Sequence, residues 1–160
     1  MIQWPRAVYL HVPFCLHHCG YCDFTLVARR DHLIPQWFDC LQRELEQQRR
    51  ESGARLPVDS IFIGGGTPTH LSVLQLQQLA ELIAGHFELQ PGGEYSMEAN
   101  PDGREAEKLR VLHEAGVNRL SLGVQSCVFF VVQLLERTHR GVSAGGVVCV
   151  AGAILPAVSL

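Results

Sequence analysis

The sequence has no basic excess. Its 13 Lys and Arg stand against 16 Asp and Glu, a formal charge of −3, so the electrostatic footprint of a nucleic-acid binder is missing. It also has no acidic tail, no low-complexity segment and no short internal repeat. The first residues, MIQWPRAVYLHVPFC, hold one arginine and no long apolar run before the first motif, unlike a secretory signal. Six cysteines without such a signal suit a reduced, cytoplasmic-type protein rather than a disulfide scaffold. No glycine-rich stretch ends in Gly-Lys-Ser/Thr, which excludes a Walker A loop. From Gly141 to Leu160 there is no charge at all, in twenty residues with four glycines, two serines and a proline. That length meets the requirement of a membrane span. Its moderate hydrophobicity and the lack of flanking anchors predict instead a helix and a strand buried in a barrel.

What is present fits 160 residues of globular composition, 47% hydrophobic, with room for one domain and a real core. Strand-like and helix-like segments alternate. Strands are expected at Ala7–Pro13, Ser60–Ile63, Glu94–Ala99, Arg119–Gln125 and from Val158 to Leu160. Between them, a helix over Pro35–Arg50 would bury Ile34, Trp37, Phe38, Leu41 and Leu45, with proline in its first turn. Another begins near Ser72, where Ser72 and Gln75 have capping-box spacing, and would bury Leu76, Leu79, Ala80, Ile83 and Phe87. Further helices are expected after Asp102 and Glu105, over Phe129–Thr138 and over Val142–Ile154. Such alternation specifies an α/β fold with parallel strands and right-handed crossovers, whose ligand sites gather at the C-terminal strand ends.

Four unusual stretches fall on that rim. CLHHCGYC (Cys15, Cys19, Cys22) follows the first strand, GGGTPT (Gly64–Thr69) the second, Glu98 and Asn100 end the third, and Gln125 ends the fourth. Three thiolates on one loop suit an iron–sulfur cluster with one iron left open. A zinc site completed by His17, His18 or His11 is the alternative. The glycines would let a ligand approach the backbone, or they serve a tight strand-to-helix turn. Glu98, Gln125 and Arg137 gain weight only from sharing the rim. Cys40, Cys127 and Cys149 are not spaced to complete the triad and read as small buried hydrophobes.

Together, YLHVPFCLHHCGYCDF, IFIGGGTPT, EYSMEANPD and GVNRLSLGVQS resemble the radical S-adenosylmethionine (radical SAM) superfamily over roughly residues 7–140. Within it they are similar to the oxygen-independent coproporphyrinogen III oxidase family. The oxidases carry a further cysteine two places after the triad, where this sequence has Phe24. The Cys-Gly-Tyr-Cys-Asp-Phe form instead resembles the HemW-like branch of haem chaperones.

The resemblance implies a partial (β/α)6-type barrel over residues 1–160, a single incomplete core domain whose C-terminal part is missing. It implies that Cys15, Cys19 and Cys22 hold a [4Fe–4S] cluster whose fourth iron is chelated by S-adenosylmethionine. An electron from the cluster would then cleave a carbon–sulfur bond of that cofactor, giving methionine and a 5′-deoxyadenosyl radical. It further implies that Tyr9, Tyr21, Gly65, Gly66, Thr67, Glu98, Gln125 and Arg137 surround the cofactor. Haem, a haem-acceptor protein and a flavodoxin or ferredoxin as electron donor are the implied partners. Coproporphyrinogen oxidation, a zinc-binding module and a non-catalytic fragment are the competing functions.

Overall fold

The computed structural model describes residues 4–101, 106–137 and 141–160. β1 (Ala7–Val12) runs on into the two-residue β2 (Phe14–Cys15), which pairs with β3 (Val27–Ala28) in a small parallel ladder of its own. β4 (Leu56–Gly65), β5 (Phe87–Ala99), β6 (Arg119–Leu122) and β7 (Ala157–Ser159) then add to β1 in chain order. Every neighbouring pair is parallel. The connections carry α1 (Ile34–Ser52), α2 (Val73–His86), α3 (Ala106–Glu114), α4 (Phe129–Leu134) and α5 (Gly141–Ile154).

Strands that follow one another in strict order, joined by right-handed crossovers, put their helices on one face of the sheet. In keeping with this, α1 packs on α2, α2 on α3 and α3 on α5. The row Leu10, Ile63, Met97, Leu120 and Val158 crosses the sheet in register and belongs to the core with the buried residues of the helices. The adjacent row, Tyr9, Phe62, Ser96, Arg119 and Ala157, points the other way. Parallel strands covered on both faces are usually apolar throughout. These strands alternate, and their second face is polar. Arg119 donates to Glu94 Oε1 at 3.2 Å, to Ser96 Oγ at 3.4 Å and to Ser159 Oγ at 3.1 Å.

Most expected elements are present, with shifted ends. α1 buries Ile34, Phe38 and Leu45, has proline in its first turn, and stops at Gly53, whose φ of 73° is the left-handed cap that glycine favours. The capping box at Ser72 and Gln75 is formed in both directions. β4 and β5 are longer than expected because Pro57 and the Pro91-Gly92-Gly93 run bend the strands without ending them. Pro57 precedes the stretch paired with β1, and the register shifts between Val58 and Ser60. At Gly93 a Cβ would come within 2.8 Å of the Asp59 carbonyl.

β6 stops at Leu122, three residues before Gln125, and α4 stops at Leu134. The expected helix start at Asp102 and Glu105, and Thr138, lie outside the described residues. The uncharged stretch forms α5 and β7, but it is not buried as expected: among the described side chains of α5 only Val147 and Ala151 are buried, Cys149 and Val150 are exposed, and so is Ala157 of β7. Among the described residues no helix is long and apolar enough to cross a membrane. Removing the Ser72 cap with Ser72→Ala is expected to cost about 1 kcal/mol of stability, measured by urea unfolding.

Candidate functional site

The first cysteine is fixed by backbone pairing. As β4 ends, Gly66 N–H donates to the Val12 carbonyl and Thr67 N–H to the Phe14 carbonyl, both at 2.8 Å. The glycine run therefore lies directly against the strand that carries Cys15. A Cβ on Gly66 would come within 2.7 Å of the Phe14 carbonyl oxygen, and Gly65 has a φ of 117° with the His11 ring 2.8 Å from where a Cβ would sit. The third amide, Gly65 N–H, donates to Glu98 Oε2 at 3.0 Å. All three N–H groups are thus used within the protein. They serve the close passage of β4 first, and leave any ligand a backbone without side chains rather than free amides.

Beyond Cys15 the loop is closed by short local bonds. Cys22 N–H donates to the Cys19 carbonyl at 3.0 Å, which turns the chain between the second and third cysteines. His18 Nε2 meets the Cys22 carbonyl at 2.8 Å and His11 Nε2 the Thr25 carbonyl at 2.7 Å. His17 Nε2 meets the Glu136 carbonyl at 2.6 Å, tying the loop to the turn after α4. These histidines were the candidates for a fourth zinc ligand. His11 has its other nitrogen engaged too, by the Tyr9 hydroxyl at 3.1 Å. The His17 nitrogen that lies 3.6 Å from Cys19 Sγ is the one held by Glu136. Among the described residues no group of three or more His, Cys, Asp or Glu converges as a single metal ion requires.

A chain of side-chain hydrogen bonds links the cysteines to the other rim segments. Thr67 Oγ1 lies 3.3 Å from Cys15 Sγ and accepts from Asn100 Nδ2 at 3.0 Å. Asn100 Oδ1 accepts from Arg137 Nη2 at 3.0 Å, and the same guanidinium nitrogen donates to the Gly123 carbonyl. Arg137 Nη1 reaches Cys19 Sγ at 3.9 Å. Its Nε is buried without a partner. Burial pushes the Cys15 thiol up from its ordinary value, opposed by the Thr67 hydroxyl. Burial likewise raises the Tyr21 phenol, opposed by Arg137. Glu98 is raised by burial against the pull of the Gly65 amide and of His11.

These groups face one cavity of about 710 Å³, within the range of small-molecule sites. Of the residues expected from sequence, Cys15, Cys19, Cys22, Tyr21, Gly65, Gly66, Thr67, Glu98, Gln125 and Arg137 all line it. Gln125 does so from a loop, at a φ of 63°, not from a strand end. Tyr9 does not line it: the ring is exposed, stacks on Phe62 at 5.9 Å and holds His11. Cys40, Cys127 and Cys149 are exposed, not buried, and none lines the cavity. Asn100 and Gly123 are among the further lining residues to which the sequence reading gave no role. Asn100 was visible only as a polar residue at a strand end. At Gly123 a Cβ would approach Arg137 Nη2 to 3.0 Å and Asn100 Oδ1 to 3.3 Å.

Residues 9–144 match the model of the radical SAM superfamily. The chain belongs to the radical SAM superfamily. Within it, the chain is 40% identical over 138 residues to the haem chaperone HemW of Bacillus subtilis, covering 84% of this chain and 36% of that one. It is 41% identical over 138 residues to HemW of Mycobacterium tuberculosis, covering 84% and 35%. It is 38% identical over 133 residues to the mitochondrial radical S-adenosyl methionine domain-containing protein 1 of Bos taurus, covering 83% and 30%. The solved structure of the coproporphyrinogen III oxidase HemN of Escherichia coli, described as a radical SAM enzyme, superposes with a TM-score of 0.85. That match is at 31% identity and covers 94% of this chain and 35% of that one. The chain spans about a third of the length of these radical SAM relatives.

Two outcomes follow from this packing. Gly66→Ala forces a methyl group against the Pro13–Phe14 backbone and is expected to destabilise the protein by about 1–3 kcal/mol in urea unfolding. Glu98 has a raised carboxyl in the folded state, so the unfolded chain loses that proton first. Its burial penalty is absent below the ordinary glutamate range and fully present above the folded value. Glu98→Gln is therefore expected to match the parent near pH 4 and to exceed its stability at pH 7, read from unfolding curves at the two values.

Proposed function

We propose that this chain is the cluster-bearing part of a HemW-type radical SAM protein. In this proposal Cys15, Cys19 and Cys22 hold a [4Fe–4S] cluster and S-adenosylmethionine occupies the adjoining cavity. What carries the proposal is the convergence on one cavity of three unpaired cysteines with Gly65, Gly66, Thr67, Glu98, Gln125 and Arg137. The donor set fits the group. Thiolates are the ligands of iron–sulfur clusters, and such a cluster spreads its cysteines over separate irons, so three thiols that do not converge on one point suit it better than zinc. The orphaned Nε of Arg137 and the raised Glu98 carboxyl add a donor and an acceptor beside the thiols, as a zwitterionic ligand needs.

When bound, the cluster and S-adenosylmethionine together supply one-electron radical chemistry; the chain's own residues bind and orient. Cys15 sits at the floor, buried, with Thr67 against its sulfur. Tyr21, between the second and third cysteines, lines the cavity beside them. Glu98 is held by Gly65 with its carboxylate toward the cavity, where it can accept from an ammonium or hydroxyl group. Gln125 also lines the cavity and can donate or accept there. Tyr9 acts from outside, steadying His11 and through it the far end of the cysteine loop.

By resemblance to the HemW relatives, which are named as haem chaperones, the proposed cargo is haem, and a haem-accepting protein and a flavodoxin- or ferredoxin-like electron donor are the proposed partners. Six free cysteines suit a reducing compartment such as the cytoplasm. Coproporphyrinogen oxidation is the less favoured activity, because Phe24 takes the place of the oxidases' extra cysteine and stands at the cavity wall.

The deciding measurement is electron paramagnetic resonance on anaerobically reconstituted, dithionite-reduced protein with and without S-adenosylmethionine. The expected result is a reduced [4Fe–4S] signal that changes when the cofactor is added. It should be lost in Cys15→Ser, Cys19→Ser and Cys22→Ser alike. Stoichiometric zinc with no uptake of iron and sulfide would overturn the proposal.

A further inference from the structure

Asn100 was given no role among the site residues, yet it is the centre of the hydrogen-bond chain that ends on two cysteine sulfurs. Its orientation is forced. Arginine can only donate, so the atom facing Arg137 Nη2 must be the amide oxygen, and the amide nitrogen must face Thr67. With its oxygen accepting from Asn100, the Thr67 hydroxyl has its proton left for Cys15 Sγ. At the other end, Arg137 is held by Asn100 Oδ1 and the Gly123 carbonyl while Nη1 reaches Cys19 Sγ. Thr67 is buried at 8% exposure, so few waters can substitute for either bond. One carboxamide therefore sets a neutral donor on the first cysteine and a charged donor on the second.

Donors on sulfur stabilise the more negative, reduced state of an iron–sulfur centre, and hydrogen bonds to its sulfurs are among the features that set its potential. We propose that Asn100 is a positioning residue. It aims Thr67 at Cys15 and Arg137 at Cys19, and so holds the potential of the cluster higher than the three cysteines alone would. This rests on the cluster reading of the preceding section and adds to it a role for a residue that touches no sulfur itself.

The test is the midpoint potential of the reconstituted cluster, followed by electron paramagnetic resonance during a redox titration, with iron per chain measured on the same samples. Asn100→Ala and Thr67→Val are each expected to shift the potential to more negative values at unchanged iron content. Combining them should shift it by less than the sum of the two, because both break one relay. Thr67→Ser, which keeps the hydroxyl, is expected to restore the parental potential. Thr67→Val is nearly isosteric and gives the reading even if Asn100→Ala fails to fold. Parental potentials in Asn100→Ala or Thr67→Val at full iron content would overturn the proposal. Failure of the parental chain to assemble a cluster would overturn the cluster reading itself, a different and separately visible result.

Discussion

Two backbone hydrogen bonds, Gly66 N–H to Val12 and Thr67 N–H to Phe14, join the end of one strand to the strand that delivers Cys15. The rest of the site is built around that join. It can form only where β4 passes without side chains, because a Cβ on Gly66 would strike the Pro13–Phe14 backbone. It places Thr67 beside the first sulfur, and Thr67 in turn receives Asn100 from the end of β5. Asn100 receives Arg137 from beyond β6. Each successive strand of a sheet laid down in strict order thus adds one polar residue at the same rim.

The strict order has a second effect. With the helices on one face, the other face of the sheet is free to be polar, and from β5 to β7 it largely is. Glu94, Ser96, Glu98, Arg119, Ser121 and Ser159 alternate with the apolar residues that face the helices. Arg119 gathers Glu94, Ser96 and Ser159 from three adjacent strands. A fully buried hydroxyl such as Ser96 is tolerable only with such partners. The polar lining continues upward to Glu98 and Ser121, which belong to the cavity itself.

Much of this was legible in the sequence because it depends on local chemistry. The capping box at Ser72 and Gln75, the apolar face of α1 and the alternation of β5 and β6 are written in neighbouring residues. The rim rule grouped the cysteines, Gly65, Gly66, Thr67, Glu98, Gln125 and Arg137, and all of them line one cavity. Other features depended on partners far along the chain. The glycines suggested a backbone that a ligand could approach, but the amides of Gly66, Thr67 and Gly65 are spent on β1, β2 and Glu98. α4 looked longer because nothing nearby says that Glu136 will be drawn to His17 and Arg137 into the cavity. The expected strands Ser60–Ile63 and Glu94–Ala99 were too short because proline and glycine mark a bulge within a strand as readily as a turn at its end, and Pro57 and Pro91-Gly92-Gly93 lie inside β4 and β5.

The bonds that complete the cysteine loop span 119 residues from His17 to Glu136 and 118 from Cys19 to Arg137. A ribosome adds about 5–20 residues each second, so the thiols are made roughly 6–24 s before the groups that will cover them. Through that interval they are unpaired thiols on a nascent chain, and contacts of such sequence separation are also slow to form. The cysteine loop is thus made well before the residues that complete it. During that interval the thiols lack the cover of Glu136 and Arg137, and a reducing environment protects them while the site is still being made.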